Sequence, residues 1–494
     1  MKNSYIKQLI FSLLFLLIFA AGCDDFLETN PTNQVSQDVV FQTTDLAQTV
    51  LDGTYRFLRK QDNLNQKSFD MRLDVIDGRD VMMNQSGFYN GDYDLGIDKT
   101  TQDLGEVSNL WNFYYQIINH ANNLIAYIDD TKGSEKEKHR IKGEALALRA
   151  FAYFNLINHF QHAWIKGSEL PGVPIYLEPT SYETVGNPRG TVANVYDRII
   201  TDLTDAITLL PSDGSRLNKN KGYINKNVVH GFLARTYLFK GEFNNAALHA
   251  SEARLGYPLM SQEEYVGGFN DYVNPEWIWG LPFSPEEVLV NTSHFSDFDL
   301  ERPNSNWSIR INNQFYALFS ETDCRAKLQV GENAPLIIYK DWAPVNQPIA
   351  GTDIKDSLVT RKFRDKADLT GHYVMMRSAE MILIEAEAEA EQSHYETAQN
   401  LLFEVQSRAD KQAIKSSSTG QQLINEILVE RRKELYGEGL ASVFDLKRRN
   451  LALIRTGNQI HGGFEAGSNR LVWQLPIKEI DANQNISESE QNPL

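Results

Sequence analysis

Residues 141–160 read IKGEALALRAFAYFNLINHF, and from Ala145 to Ile157 only Arg149 and Asn155 are strongly polar, with no Pro or Gly. Upstream, Ser134 and Glu137 have the spacing of a capping box, which satisfies free backbone N–H groups of a first helical turn. A helix apolar nearly all round has no broad face for water. This run is also too interrupted by polar residues to span a bilayer. It is therefore expected to be a buried helix with other helices packed around it. Ala145, Ala147, Ala150 and Ala152 alternate with Phe151, Tyr153 and Phe154, which lets neighbours interdigitate. The stretch speaks for architecture and carries no chemistry.

Helical periodicity continues on both sides. It runs through Leu46, Val50, Leu51, Tyr55 and Leu58, through Trp111, Tyr114, Ile118 and Leu124, and through Val195, Ile199, Leu203 and Ile207. Ala234, Tyr237, Gly241, Phe243, Ala246 and Ala250 have the spacing of a tetratricopeptide repeat. Ala386, Tyr395 and Ala398 repeat the 9- and 12-residue offsets of Ala234, Phe243 and Ala246. The expected fold is mainly α, a scaffold of tetratricopeptide-like helical hairpins over about 44–60, 111–160, 194–255 and 373–455. A large irregular, loop-rich insertion occupies 258–372, and the folded domain spans 38–494.

The formal net charge of −17 argues against nucleic acid or anionic lipid headgroups as partners, since both would be repelled. Two cysteines, Cys23 and Cys324, define no disulfide framework. Residues 1–22 have the build of a secretory signal: Lys2 and Lys7, an apolar run over 9–19, then Ala20-Ala21-Gly22 before Cys23. That order is similar to a bacterial lipobox, with Ala20 where Leu is usual. It implies cleavage before Cys23 and lipidation on it; the alternative is an ordinary signal with an unmodified cysteine. Residues 23–37, acidic and then rich in Pro, Asn, Thr and Gln, read as a tether.

Candidate chemistry lies in two irregular stretches. Between 70 and 108, Asp74, Asp77 and Asp80 recur with Arg79, followed by Tyr89, Asn90, Asp92 and Asp94. The last three alternate like a calcium loop, but Leu95 and Thr101 stand where an EF-hand needs Gly and Glu. Only a looser calcium site near Asn90, Asp92 and Asp94 stays open, and no other cofactor is expected. Asp77 or Asp80 with Asp92 could instead form the carboxylate pair of a glycoside hydrolase. In the insertion, Trp307 and Trp342 lie in polar or Pro-rich surroundings that give an indole little reason to be buried. Trp277 and Trp279 alternate in a strand, with at least one expected in the core. Trp307, Trp342 and Tyr316 are the expected ligand platform, with Arg79, Asp80 and Tyr89 supplying an opposite edge. Aromatic rings beside Asn, Asp and Arg suit a sugar, whose ring stacks while its hydroxyls take hydrogen bonds.

The last third carries Glu430-Arg431-Arg432-Lys433-Glu434-Leu435-Tyr436-Gly437-Glu438-Gly439 and Phe444-Asp445-Leu446-Lys447-Arg448-Arg449. Together with Cys23-Asp24-Asp25-Phe26-Leu27-Glu28, Gly172-Val173-Pro174, Asp323/Arg325 and Gln491-Asn492-Pro493, this resembles the SusD/RagB family. Ala441-Ser442 and Cys324 depart from its pattern. Taken alone, Glu430/Glu434 and Arg431/Lys433 read as ion pairs along one helix. The resemblance implies a lipid-anchored, surface-exposed outer-membrane protein, not an enzyme. Such a protein captures a nutrient, most often an oligosaccharide, and passes it to a SusC-like TonB-dependent transporter. A peptide-binding or assembly scaffold is the alternative from another class.

Overall fold

The computed structural model describes residues 37–59, 61–62, 64–65, 79–82, 105–212, 220–287, 293–299, 310–340, 357–439, 443–457, 459 and 462–494. Eleven helices carry the argument: α1 (Thr44–Arg59), α2 (Gly105–Tyr127), α3 (Glu135–Phe160), α4 (Val192–Leu209), α5 (Lys226–Lys240), α6 (Phe243–Ala253), α7 (Ser378–Glu391), α8 (Tyr395–Ala409), α9 (Gly420–Leu435), α10 (Val443–Arg448) and α11 (Ile477–Ala482). The fold is mainly α. Successive helices pack on one another from α1 to α6, and α7 continues on α6 although residues 254–377 intervene.

α3 is the buried helix that its composition demands. Ser134 caps it, accepting from the Glu137 amide at 3.3 Å, and nearly every side chain from Ile141 to Phe160 is buried. Its two strongly polar residues are both satisfied. Arg149 makes a two-pronged pair with Asp202 of α4 at 2.7 and 2.8 Å and donates to Asn122 of α2 at 2.8 Å. Asn155 returns its amide to the Phe151 carbonyl of its own helix at 2.8 Å. Such pairing matters because a lone guanidinium in this environment would cost several kcal/mol, of order ~5.

The hairpins α5–α6 and α7–α8 share one turn. Gly241 closes the first with φ +79°, in the left-handed region where Gly carries no Cβ penalty. The amides of Gly241 and Glu242 donate to Leu238 and Tyr237. In the second, Ser393 takes the same place with φ +66°, and Ser393 and His394 donate to Ala390 and Glu389. Ala234, Ala246, Ala386 and Ala398, the small residues of the repeated spacing, are all fully buried.

Strands occur only as paired ladders among the described residues: β1 (Val81–Met82), β2 (Trp277–Leu281), β3 (Arg310–Ile311), β4 (Ile337–Lys340), β5 (Ser357–Thr360) and β6 (Tyr373–Arg377), besides two further short antiparallel pairs. β2 and β6 pair antiparallel, Tyr373 opposite Leu281 and Arg377 opposite Trp277, and so close the base of the insertion. Both Trp277 and Trp279 face the core, 1 % and 0 % exposed. The Trp279 ring meets Phe151 of α3 and Phe232 of α5 edge-on, each at 5.5 Å. Among the described residues no helix is long and apolar enough to cross a membrane.

Candidate functional site

α9 holds the insertion to the scaffold through buried charge. Asp323 and Arg325 form a two-pronged pair at 2.8 and 3.0 Å, and Arg325 also donates to Glu430 at 2.6 Å and Glu434 at 2.9 Å. Arg377 donates to Glu276, Glu434 and Glu438, at 2.7 Å to each. Arg408 reaches Glu434 and Glu276, Lys362 reaches Glu438, and Lys433 reaches Asp323 and Glu430. Arg325, Lys362, Arg377, Arg408 and Lys433 thus face Glu276, Asp323, Glu430, Glu434 and Glu438, five cations against five anions. Burial alone would raise the Glu434 carboxyl, but Arg408, Arg377 and Arg325 together hold it well below the ordinary carboxylate range. The pairing along α9 is therefore the lesser part: of the contacts above, only Lys433–Glu430 stays on that helix.

From the same helix, Arg432 reaches outward to Asp80, its Nε 3.1 Å from one carboxylate oxygen. Asp80 is 5 % exposed, so its carboxylate serves a structural pair that anchors the segment. Next to it, β1 pairs antiparallel with β3, Val81 opposite Ile311 and Met82 opposite Arg310, and the Asn312 amide donates to the Asp80 carbonyl at 3.0 Å. Asn312 also caps the short helix Asn313–Tyr316, accepting from Gln314 and Phe315, and its amide holds the Thr456 carbonyl at 2.8 Å. Gln459 donates to the carbonyls of Arg79 and Val81, 3.1 Å each. β3 in turn packs beside β5, the partner of β4.

Three expected site residues belong to this frame. Arg79 and Asp80 enter β1. Tyr316 ends the short helix after β3, half-buried, with the Lys327 ammonium 4.1 Å from its ring centre. Burial and the neighbouring Arg432 lower Arg79, and burial brings Arg310 down to about 10, which leaves Arg310 cationic at neutral pH. Tyr89, Trp307 and Trp342 lie outside the described residues, as do Cys23, Asp77, Asn90, Asp92 and Asp94. In sequence, however, Trp307 precedes β3 by three residues, Trp342 follows β4 by two and Tyr89 follows β1 by seven. The frame therefore gathers the roots of all three aromatic-bearing segments. Sequence reading missed Arg432 as its support, since a charge inside a charged run gives no sign of a partner hundreds of residues away.

Among the described residues no group of three or more His, Cys, Asp or Glu is placed to hold a metal. Cys324 is buried, and burial pushes its thiol up to about 12, which leaves it inert as a nucleophile.

Residues 25–238 match a family model described as starch-binding associating with outer membrane, and residues 354–494 match the SusD family model. SusD-like protein P38 of Formosa agariphila is 23% identical over 535 residues, spanning 97% of this chain and 98% of that protein. The crystal structure of a SusD-like carbohydrate binding protein from Bacteroides vulgatus superposes with a TM-score of 0.80 at 26% identity, covering 92% of this chain and 99% of the other. A laminarin binding SusD-like protein gives a TM-score of 0.67 at 22% identity over 92% and 100%, a likeness of fold alone. Two family models of one kind together match most of the chain, and a solved SusD-like structure superposes over 92% of it; the chain belongs to the SusD/RagB family.

Proposed function

We propose that this protein captures an oligosaccharide at the outer surface of the outer membrane and hands it to a SusC-like TonB-dependent transporter. The observation that supports the reading is the β1–β3 pairing, which sets Met82 and Arg310, the ends of the segments bearing Tyr89 and Trp307, opposite each other, with β4, which leads to Trp342, joined to it through β5. Arg79 enters β1 at that pairing, while the Asp80 carboxylate is held by Arg432 and anchors the segment. Two stacked rings, each contributing about 0.5–1.5 kcal/mol, with a few exposed hydrogen bonds support roughly millimolar to micromolar affinity. That range suits capture followed by fast release. Because one neighbour of the fold is described as laminarin binding, laminari-oligosaccharides are the first probes, with malto-oligosaccharides beside them.

Calorimetry should show weaker binding in Trp307→Ala and Trp342→Ala at unchanged thermal midpoints. Normal binding in both would put the ligand elsewhere; poor binding with a much lower midpoint would make these residues core. Incubation with the same glycans should release no new reducing ends. Cys23→Ala should free the chain from outer-membrane fractions of cells lacking the transporter, and unchanged association there would end the anchoring claim.

A further inference from the structure

A cleft of about 240 Å³ opens between α2, the segment 176–187 and α11. It shares no residue with the β1–β3 frame. Three of its lining side chains are rings: Trp111 and Tyr115 with centres 4.7 Å apart, and Tyr176 edge-on to Tyr115 at 5.9 Å. The other polar lining is neutral amide and hydroxyl, apart from Glu479, and no described Lys, Arg or His lines it. Glu479 is not a bare counter-ion either. One oxygen accepts from the Trp111 indole at 3.3 Å and the other from the Asn483 amide at 2.9 Å.

The segment 180–187 borders this cleft as a strap pinned at both ends. The Asn119 amide holds both backbone groups of Thr180, at 2.8 and 3.3 Å. At the other end Asn485 donates to the Gly186 carbonyl at 2.6 Å, Asn483 donates to the Asn187 carbonyl at 2.9 Å, and the Tyr176 hydroxyl accepts from the Asn187 amide at 3.0 Å. Gly186 is required there, because a Cβ would lie 2.3 Å from the Asn483 side chain. Between the pins, Tyr182 is 96% exposed and Val185 67%. A strap held this firmly has no folding reason to leave a tyrosine in water.

We propose that this cleft binds one unit, or the chain end, of an uncharged glycan, with Tyr182 folding over it as a stacking cover. Without a cation in the lining, sulfated, phosphorylated and uronic sugars find no counter-charge, while rings and neutral amides suit stacking and hydroxyl recognition. The volume falls below the roughly 300–1,000 Å³ of drug-sized sites, which limits the occupant to about one or two rings. The proposal is independent of the loop face: either site can fail alone.

The test uses the indole N–H resonance of Trp111, identified with Trp111→Phe, in the purified full chain titrated with laminarihexaose and maltohexaose. At least one should move it saturably, Tyr182→Ala should weaken that response about two- to tenfold, and Asn112→Phe, which fills the cleft from an exposed position on α2, should remove it at an unchanged thermal midpoint. Trp307→Ala with Trp342→Ala should leave the response in place. A Trp111 signal that ignores both glycans, that moves equally in Asn112→Phe, or that answers only to choline or to oligoglucuronate overturns the proposal.

Discussion

Replacing Glu434 by Gln removes one anion from a buried set of five cations and five anions while keeping the shape of the side chain. The carboxylate is fully buried and takes guanidinium groups from Arg325 at 2.9 Å, Arg377 at 2.7 Å and Arg408. At an effective dielectric near 20, each close pair is worth about 4 kcal/mol before desolvation is counted. Burial offsets much of that, and the measured cost of breaking one buried partnership, about 3–5 kcal/mol, is the expected loss. Urea unfolding followed by circular dichroism should report it as a lower midpoint at unchanged slope. Adding Arg408→Met should recover part of the loss by removing the surplus cation. The pH profile supplies a second arm. Since the folded-state pKa lies below the unfolded one, this stabilisation is complete above the unfolded value of about 4.3 and disappears as pH falls through the folded value. Acid should therefore cost the wild type more than Glu434→Gln. A variant within about 1 kcal/mol of wild type, or a double variant whose two costs simply add, would refute the reasoning.

Two further outcomes are expected. Ser393→Gly should stabilise the chain by about 0.5–1 kcal/mol, because Ser393 holds the left-handed turn that Gly241 fills without strain in the matching hairpin; a thermal melt shifted downward would count against it. His230 of α5 and His249 of α6 share a 2.9 Å contact between Nδ1 atoms, and Tyr237 stacks on His249. Burial, then His230, bring His249 down to about 4 against the opposing pull of Glu252, and burial with Lys226 lowers His230. Stability from this contact is complete above the unfolded value near 6.5 and lost as pH falls towards about 4. His249→Phe, which keeps the stack, should flatten that window in melts taken across it.

What the sequence discloses depends on the range of the signal. The boundaries and burial of α3 follow from residues within a few turns of one another: a capping Ser, small residues between rings, and no Pro. The identity of Asp202 as the partner of Arg149 does not follow, because it depends on how α4 lies against α3. Strands of two residues leave no period to read, so the pairing of Val81 with Ile311 was beyond pattern. For the same reason the aromatic segments could be selected by composition while the frame that roots them could not. Trp111 shows the opposite limit. Helical spacing reads it as core, which it is, yet Tyr176 and Glu479 turn that part of the core into a cleft wall.

Glu430-Arg431-Arg432-Lys433-Glu434 is the case where the ordinary reading of a charged run goes furthest astray. Such runs are usually solvated, and pairs three or four residues apart on a helix contribute only a few tenths of a kcal/mol, about 0.2–0.5. At 3.6 residues per turn, five consecutive residues sweep more than the full circumference, so where the end of the helix is packed by several segments they reach partners on more than one side. Here Glu430 meets Arg325, Arg431 meets Asp445 of α10, Arg432 meets Asp80 beside β1, Lys433 meets Asp323, and Glu434 meets Arg377 at the end of β6. One turn of α9 thus fixes both the base of the insertion and the frame that roots its aromatic segments. A ligand face built from irregular chain needs such a rigid reference, because loops hold a geometry only as well as the scaffold that positions them.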